Sequence, residues 1–546
     1  MDISPAAKCR SALGNTAVAQ LLDIFAFVSV LLRGMTLAFE ALTVGGVIFI
    51  LAIARKTSSS GLTRFLILFS ILLAVTQILF VGANSAILMN SADLTWADVR
   101  GAGYCTAGAM IVAGALVIAG FGRSRWAKLA WPVGCLLIVG GTVMTSHAAA
   151  RLEHRGALAF LTFVHHAAGA AWIGGLPYLL WSLRKDSNSE AAQSLTARFS
   201  RMAMIAVPLL FMAGVAMGFF YVGSRPALTG TTYGIMLSSK VILTALLLIL
   251  GALNWRIVRA IRSGVSPNLL PLRRFAEAEI GIGFTVILAA ASLTSSPPAA
   301  DVNVGRVSLP EIAERMKPVW PRMSTPALGE LSPVTPLGSS LPATTPGSFV
   351  PGQRSQSISP ADIAWSEYNH HWSGLVVLAA GVLSLLSRRY SWAKHWPLVF
   401  LGLAAFLFLR ADAENWPLGP RGFWESFQVA EVAQHRFFVV LVIAFGVFEW
   451  AVRTERISPK RAGFVFPLVC AVGGALLLSH SHSLGNVKEA FLAELSHTPL
   501  AIFAVMAGWS RWLELRLTQD RTRILAWIWP ICFVSIGFLL LNYRES

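Results

Sequence analysis

About fourteen stretches of roughly 18 predominantly apolar residues recur along this 546-residue chain, and nothing else in the sequence restricts its fold as severely. Hydrocarbon offers no water to peptide groups, so a segment crossing it must satisfy its own backbone, which a helix does. The runs lie near residues 24–54, 65–89, 102–121, 127–147, 156–183, 198–222, 234–258 and 275–294. A second set lies near 362–387, 394–410, 430–452, 463–480, 496–513 and 523–542. The expected fold is therefore all-α, a polytopic integral membrane bundle of eight plus six helices. Residues 1–23 lack a short apolar core followed by a small-residue cleavage site, so the first run is expected to stay as a helix.

Charge orients these helices. Charged residues make up 13% of the chain, well under the ~25% usual for soluble domains, yet the net charge is +17. Of the 44 Lys and Arg, 26 fall in seven short loops that alternate with basic-poor ones, from Arg55/Lys56/Arg64 to Arg511/Arg516/Arg521/Arg523. That is the positive-inside bias of a membrane protein, not a basic groove, so nucleic acid is not an expected partner and the lipid bilayer is. The rule puts both termini and the central linker on the extracytoplasmic side of a cytoplasmic (inner) membrane.

Twelve of the 26 prolines crowd into 295–361. Such a segment reads as an extended linker, with a short helix conceivable around Ile312–Met316. The expected organisation is an eight-helix domain over 1–295, a linker over 296–361 and a His-rich six-helix domain over 362–546.

The five cysteines are scattered without CxxC or CxxCH, which leaves a disulfide framework, a structural zinc site and c-type haem attachment without support. No GxxxxGK[ST] occurs, so transport by this chain would run on a gradient or on a partner.

Histidine is the informative residue. Ten of the eleven fall on the extracytoplasmic half under this topology, with His395 alone inside. Imidazole ligates transition metals and haem iron, although interfacial histidines can also be satisfied by water or headgroups. His480 and His482 form an HxH at the end of a run, just before Gly485. Residues two apart diverge on a helix but point the same way in extended chain, so the pair can chelate one ion, with His497 as a third nitrogen. His371 and His435 are further candidates. Glu367, Glu431 and Glu494 precede His371, His435 and His497 by four, four and three residues. Each would share a helix face with its imidazole and support it, or simply favour a helix N-terminus. Met144 and His147 are one turn apart, and thioether with imidazole suits copper. Met202, Met204, Met212 and Met217 read as packing. Arg33, Glu40, Lys240 and Glu279 are intramembrane charges expected to face the bundle interior.

Several of these pieces come in a familiar order. Ser146-His147-Ala148 is followed by His165-His166-Ala167-Ala168-Gly169-Ala170-Ala171-Trp172-Ile173-Gly174-Gly175-Leu176, by Tyr233-Gly234 with Lys240 and Asn254, and by Arg273-Arg274 with Glu279 and Pro297-Pro298. In these motifs residues 1–297 resemble the CopD/PcoD copper-resistance membrane proteins, bundles of about eight helices. The resemblance implies copper handling at the cytoplasmic membrane, commonly uptake from the periplasm with a soluble copper carrier as partner. The family's histidines map onto His147 and His165, and His166 is an additional neighbour. Ser146 stands where the family usually has Gly, and the linker shows no β-sandwich pattern, so a fused carrier domain is not expected there. Residues 362–546 resemble the six-helix extension of longer CopD-like proteins, through Asp412-x-Glu414-Asn415-Trp416-Pro417-Leu418-Gly419, Gln434-His435, the HxH and Tyr543-Arg544-Glu545.

Together these features lead to a copper-binding transporter or delivery protein, with His147, His165, His166, His371, His435, His480, His482 and His497 as candidate ligands and Met144, Glu431 and Glu494 in support. A membrane redox protein holding haem b or a metal between His pairs is the first alternative. A factor loading copper into a respiratory enzyme is the second.

Overall fold

The computed structural model describes residues 5–54, 60–184, 190–263, 268–331, 359–413, 415–428, 430–479, 487–518 and 522–545. Thirteen helices among them are long and apolar enough to cross a membrane, and Leu525–Leu541 is a shorter apolar helix. No β-strand forms among the described residues; one backbone bridge pairs Asn415 with Arg421. The protein is an all-α polytopic membrane protein.

The chain folds as two compact units. The main part of one is Phe27–Val304, and that of the other is Gly305–Leu477 with His482–Ser546. In the first, the helices are the part of α1 (Pro5–Ile48) from Phe27 on, α2 (Ser60–Ala92), α3 (Gly103–Gly120), α4 (Ala127–Met144), α5 (Arg155–Gly169), α6 (Leu176–Ser182), α7 (Glu190–Val222), α8 (Thr232–Arg262) and α9 (Leu270–Ser295). Large apolar side chains such as Leu136, Ile205 and Phe219 stay exposed on helix surfaces, which is the surface hydrocarbon wets.

Two departures from regular helix shape this unit. A π-helical turn, Phe49–Ile53, ends α1, and another, Ala170–Gly174, joins α5 to α6. Such bulges concentrate at functional sites because they re-aim side chains. Close contact accompanies them: a Cβ on Gly45 would lie 2.2 Å from the Ala170 carbonyl, and one on Gly174 1.8 Å from that of Ala41. Only glycine permits this approach of two backbones.

The second unit holds α10 (Leu309–Arg315), α11 (Pro360–Leu386), α12 (Val399–Arg410), α13 (Ala430–Arg453), α14 (Val465–Ser479), α15 (Val487–Arg516) and α16 (Leu525–Leu541). Its core joins Trp396, Phe400, Phe466, Trp529 and Phe533. Three sequence expectations shift here. The span near 394–410 begins as a 3₁₀ run, Ser391–Leu398, around Pro397. The linker helix forms at Leu309–Arg315, slightly earlier than expected, because Ser308 and Glu311 close a capping box. Helix α15 starts well before its apolar run, at Val487, so His497 sits inside it; α11 starts close to its run, at Pro360 behind a Ser359–Asp362 capping box, and His371 lies about three turns in.

Candidate metal pathway

In the first unit the fourth span stops at Met144 and a new short helix, His147–Ala150, begins after Ser146. The turn expected to align Met144 with His147 is thus broken, and Met144 is 44% exposed. The His147 ring packs against Tyr221 and Tyr233, with centroids 5.8 and 6.2 Å away. It hydrogen-bonds the Leu293 backbone, and Nε2 is buried without a hydrogen-bond partner. Burial, with smaller repulsion from Arg151, holds the imidazole below its ordinary pKa, so it is neutral and able to ligate at physiological pH. His147 lines a cleft of about 410 Å³ with Ala150, Arg151, Glu153, Pro298 and Asp301. An Arg151–Asp301 ion pair of 2.9 Å lies at that cleft.

His165 sits deeper. Its Nδ1 faces the Leu210 carbonyl at 3.1 Å, and a Cβ on Gly214 would meet the ring at 3.4 Å. A carbonyl can only accept, so Nδ1 carries the proton and Nε2 keeps its lone pair, the tautomer a metal ligand needs. His147 meets α7 at Tyr221 and His165 meets it at Leu210 and Gly214. Seven to eleven residues of helix separate these levels, about 10–16 Å at 1.5 Å per residue. The two histidines therefore meet α7 at different levels and do not lie at one depth. Met217 lies between the levels, with its sulfur 3.4 Å from the Thr162 hydroxyl, whereas Met212 is 65% exposed. Of the four methionines read as packing, Met217 faces inward at this place. The signal was present in the sequence: Leu210, Gly214, Met217 and Tyr221 recur at helical spacing on one face.

The additional histidine, His166, faces the interior through Nδ1, 3.2 Å from Glu40 Oε1. Thr142 donates to the other oxygen of Glu40 at 2.7 Å, and Arg33 donates to Thr145 at 2.9 Å. Arg33, Glu40 and Glu279 are all at most 5% exposed, as expected of intramembrane charges. Glu279 accepts from Asn254 and from the Trp172 indole, drawing three separate motif residues to one point.

In the second unit the described histidines contact backbone, aromatic and carboxylate groups. His371 is 2% exposed and uses both nitrogens: Nδ1 accepts from the Arg322 backbone N–H at 2.7 Å, and Nε2 donates to the Tyr543 carbonyl at 2.8 Å. With no lone pair left it is a clasp, and the expectation of a metal ligand there is withdrawn. Its neighbour His370 stacks on Tyr543 at 3.8 Å, and the ring of His497 is 6.3 Å from the same tyrosine. Arg315 bonds the Arg544 carbonyl, and Arg544 reaches back to the Lys317 carbonyl at 3.0 Å. Burial raises the pKa of the Tyr543 phenol, which donates to Glu545 at 2.7 Å. The motif Tyr543-Arg544-Glu545 thus anchors the chain end to α11 and to the segment around α10. The Nδ1 of His435 lies 2.8 Å from Asp412 Oδ1. Beside it Arg436 clamps the Phe408 and Trp416 carbonyls at 2.7 and 2.5 Å. Glu494 is buried and accepts from Thr498 at 3.3 Å. His480, His482 and the side chain of Glu431 lie outside the described residues. Among the described residues no three His, Cys, Asp or Glu side chains are grouped to hold a metal ion.

The segment that walls the first-unit histidines has known relatives. Residues 193–293 match the copper resistance protein D family. This bears out the resemblance read from the motifs. Over 189 residues the chain is 30% identical to the copper transport protein CutJ of Bacillus subtilis (strain 168). That alignment takes in 33% of this chain and 34% of the relative, so the chain spans about a third of the length of the curated protein it matches. No solved structure matches the chain.

Proposed function

We propose that the first unit carries copper through the membrane by way of His147, Met217 and His165. One observation supports this above the others. The family-matched segment supplies the partners of both motif histidines, although neither histidine lies within it: Tyr221, Tyr233 and Leu293 for His147, Leu210 and Gly214 for His165. Two imidazoles with a thioether between them make a donor set for Cu(I), and ligands spaced along α7 pass an ion on where a closed cage would retain it.

The His147 end is taken as extracytoplasmic, following the basic loops, so the cleft at Arg151 and Asp301 is where a soluble carrier would release copper. Inward movement of a monovalent cation gains about 2.3 kcal/mol per 100 mV of membrane potential, which suits a chain without a nucleotide motif. His435, His480, His482 and His497, with Glu494, remain candidates for a separate centre.

Radiocopper uptake into proteoliposomes tests the reading. His147→Ala and His165→Ala should each lower uptake by at least about tenfold, the scale on which metal sites respond to lost ligands and their supports. Met217→Leu should slow transfer with less effect on binding. Unchanged uptake in both histidine variants would exclude the pathway.

A further inference from the structure

Helix α1 carries a second polar route that does not pass through the copper stations. Arg33, Thr36, Glu40, Thr43 and Gly46 recur every three or four residues and so share one face. Arg33, Thr36, Glu40 and Thr43 are 5%, 0%, 3% and 0% exposed. This face runs from Arg33 to Gly46, fourteen residues, and covers about 20 Å of a hydrocarbon layer roughly 30 Å thick. Along it, polar atoms are buried without a hydrogen-bond partner: Arg33 Nη1, Thr36 Oγ1, Thr43 Oγ1 and the Tyr178 hydroxyl, which a Cβ on Gly46 would contact. Helix α2 adds Gln77, fully buried, with both amide atoms unpartnered. Arg33 lies over the Phe80 ring, one turn from Gln77 on the same helix, so Gln77 falls near the level of Thr36.

Unsatisfied polar atoms inside a membrane protein each cost several kcal/mol, and a row of them on one face is not a packing accident. Hydroxyl and amide groups at one-turn intervals are what a file of water needs on its walls. At Tyr178 the file meets a ring cluster. Phe49, Phe65 and Phe69 lie 6.0, 5.2 and 6.5 Å from the Tyr178 ring, and Phe199 lies 6.3 Å from Phe49. Phe49 belongs to the π-helical turn ending α1, a rare element found often at functional sites.

We propose that this face of α1 is a hydrated, proton-conducting file closed at one end by the aromatic cluster around Tyr178. Protons suit it better than metal or alkali cations. Each level presents one or two oxygens, too few to replace a metal or alkali cation's hydration shell. Glu40, two turns along, offsets the charge of Arg33 for the file as a whole. A proton instead crosses by hopping: each water or hydroxyl oxygen takes a proton from one neighbour and gives one to the next, so O–H bonds form and break in equal number and the protein is left unchanged.

Proton flux through this file does not depend on the copper stations and is measured without copper. The full chain is reconstituted in liposomes loaded with a pH-sensitive dye, and a potassium diffusion potential is applied. Phe49→Ala or Phe65→Ala, opening the cluster from α1 or from α2, should raise proton flux above the wild-type rate while potassium flux stays at the level of empty liposomes. Adding Thr36→Val and Thr43→Val should lower the raised flux by about fivefold or more, the rate factor of one lost hydrogen bond. Thr43→Ser, which keeps a hydroxyl, should leave it high. Copper binding and thermal stability, measured on the same preparations, report whether each variant is folded. The proposal is overturned if neither folded phenylalanine variant exceeds the wild-type flux, or if the valine pair leaves the raised flux intact.

Discussion

Replacing Gly174 by Ala tests whether backbone contact between α1 and the α5–α6 span holds the polar interior together. The new Cβ would lie 1.8 Å from the Ala41 carbonyl oxygen and 2.5 Å from its carbon. Carbon and oxygen approach to about 3.3 Å at closest, so the helices must part by roughly 1.5 Å. Glu40 precedes Ala41, and its bond to His166 (3.2 Å) crosses the same interface. Moved by that amount, the pair leaves hydrogen-bonding range. Overpacking costs about 1–3 kcal/mol and a lost charge-assisted hydrogen bond about 1.5–3 kcal/mol, for a total on the order of 3–5 kcal/mol. In a thermal scan of purified protein this should lower Tm by on the order of 10 °C. Gly140→Ala is the matched control, because the nearest atom, Met110 Cε, is 3.6 Å from its Cβ position. Its Tm should equal the wild-type value. A Gly174→Ala protein as stable as the Gly140→Ala protein would refute the reasoning.

Two further outcomes are expected. His371→Ala should destabilise the second unit by about 2–3 kcal/mol, because it leaves the Arg322 N–H and the Tyr543 carbonyl unpaired. Hydrogen exchange near Tyr543 should rise while copper bound through His147 and His165 is unchanged; a loss of that copper would contradict the clasp role. The second outcome concerns pH. An ordinary imidazole with pKa near 6.5 is about three-quarters protonated at pH 6. Burial lowers the pKa of His147, so its neutral form persists further into acid and protons compete with copper only below that depressed value. Copper affinity of the His165→Ala protein should therefore fall less than about fourfold between pH 8 and pH 6, as read by competition titration, and a larger fall would contradict the burial argument.

Sequence alone determined the membrane class, the apolar helices and the motif order, because each depends on local composition. A run of apolar residues must be helical in lipid whatever surrounds it. A capping box such as Ser308–Glu311 starts a helix through bonds within one turn. The interior direction of Arg33, Glu40 and Glu279 was legible too, since a charge in hydrocarbon has nowhere else to go.

What only the tertiary structure decided was which polar groups share a neighbourhood. Sequence spacing places His147 and His165 near one loop, but the break after Met144 and the packing on α7 put them at different levels. His371 looked like a ligand because an imidazole beside a carboxylate is one pattern whether it binds metal or clasps backbone. Its two nitrogens are taken by Arg322 and Tyr543, residues 49 and 172 positions away, and no local rule anticipates partners that distant. A helix face is fixed by a repeat of three or four residues; what that face meets is fixed by how helices far apart in the chain come together.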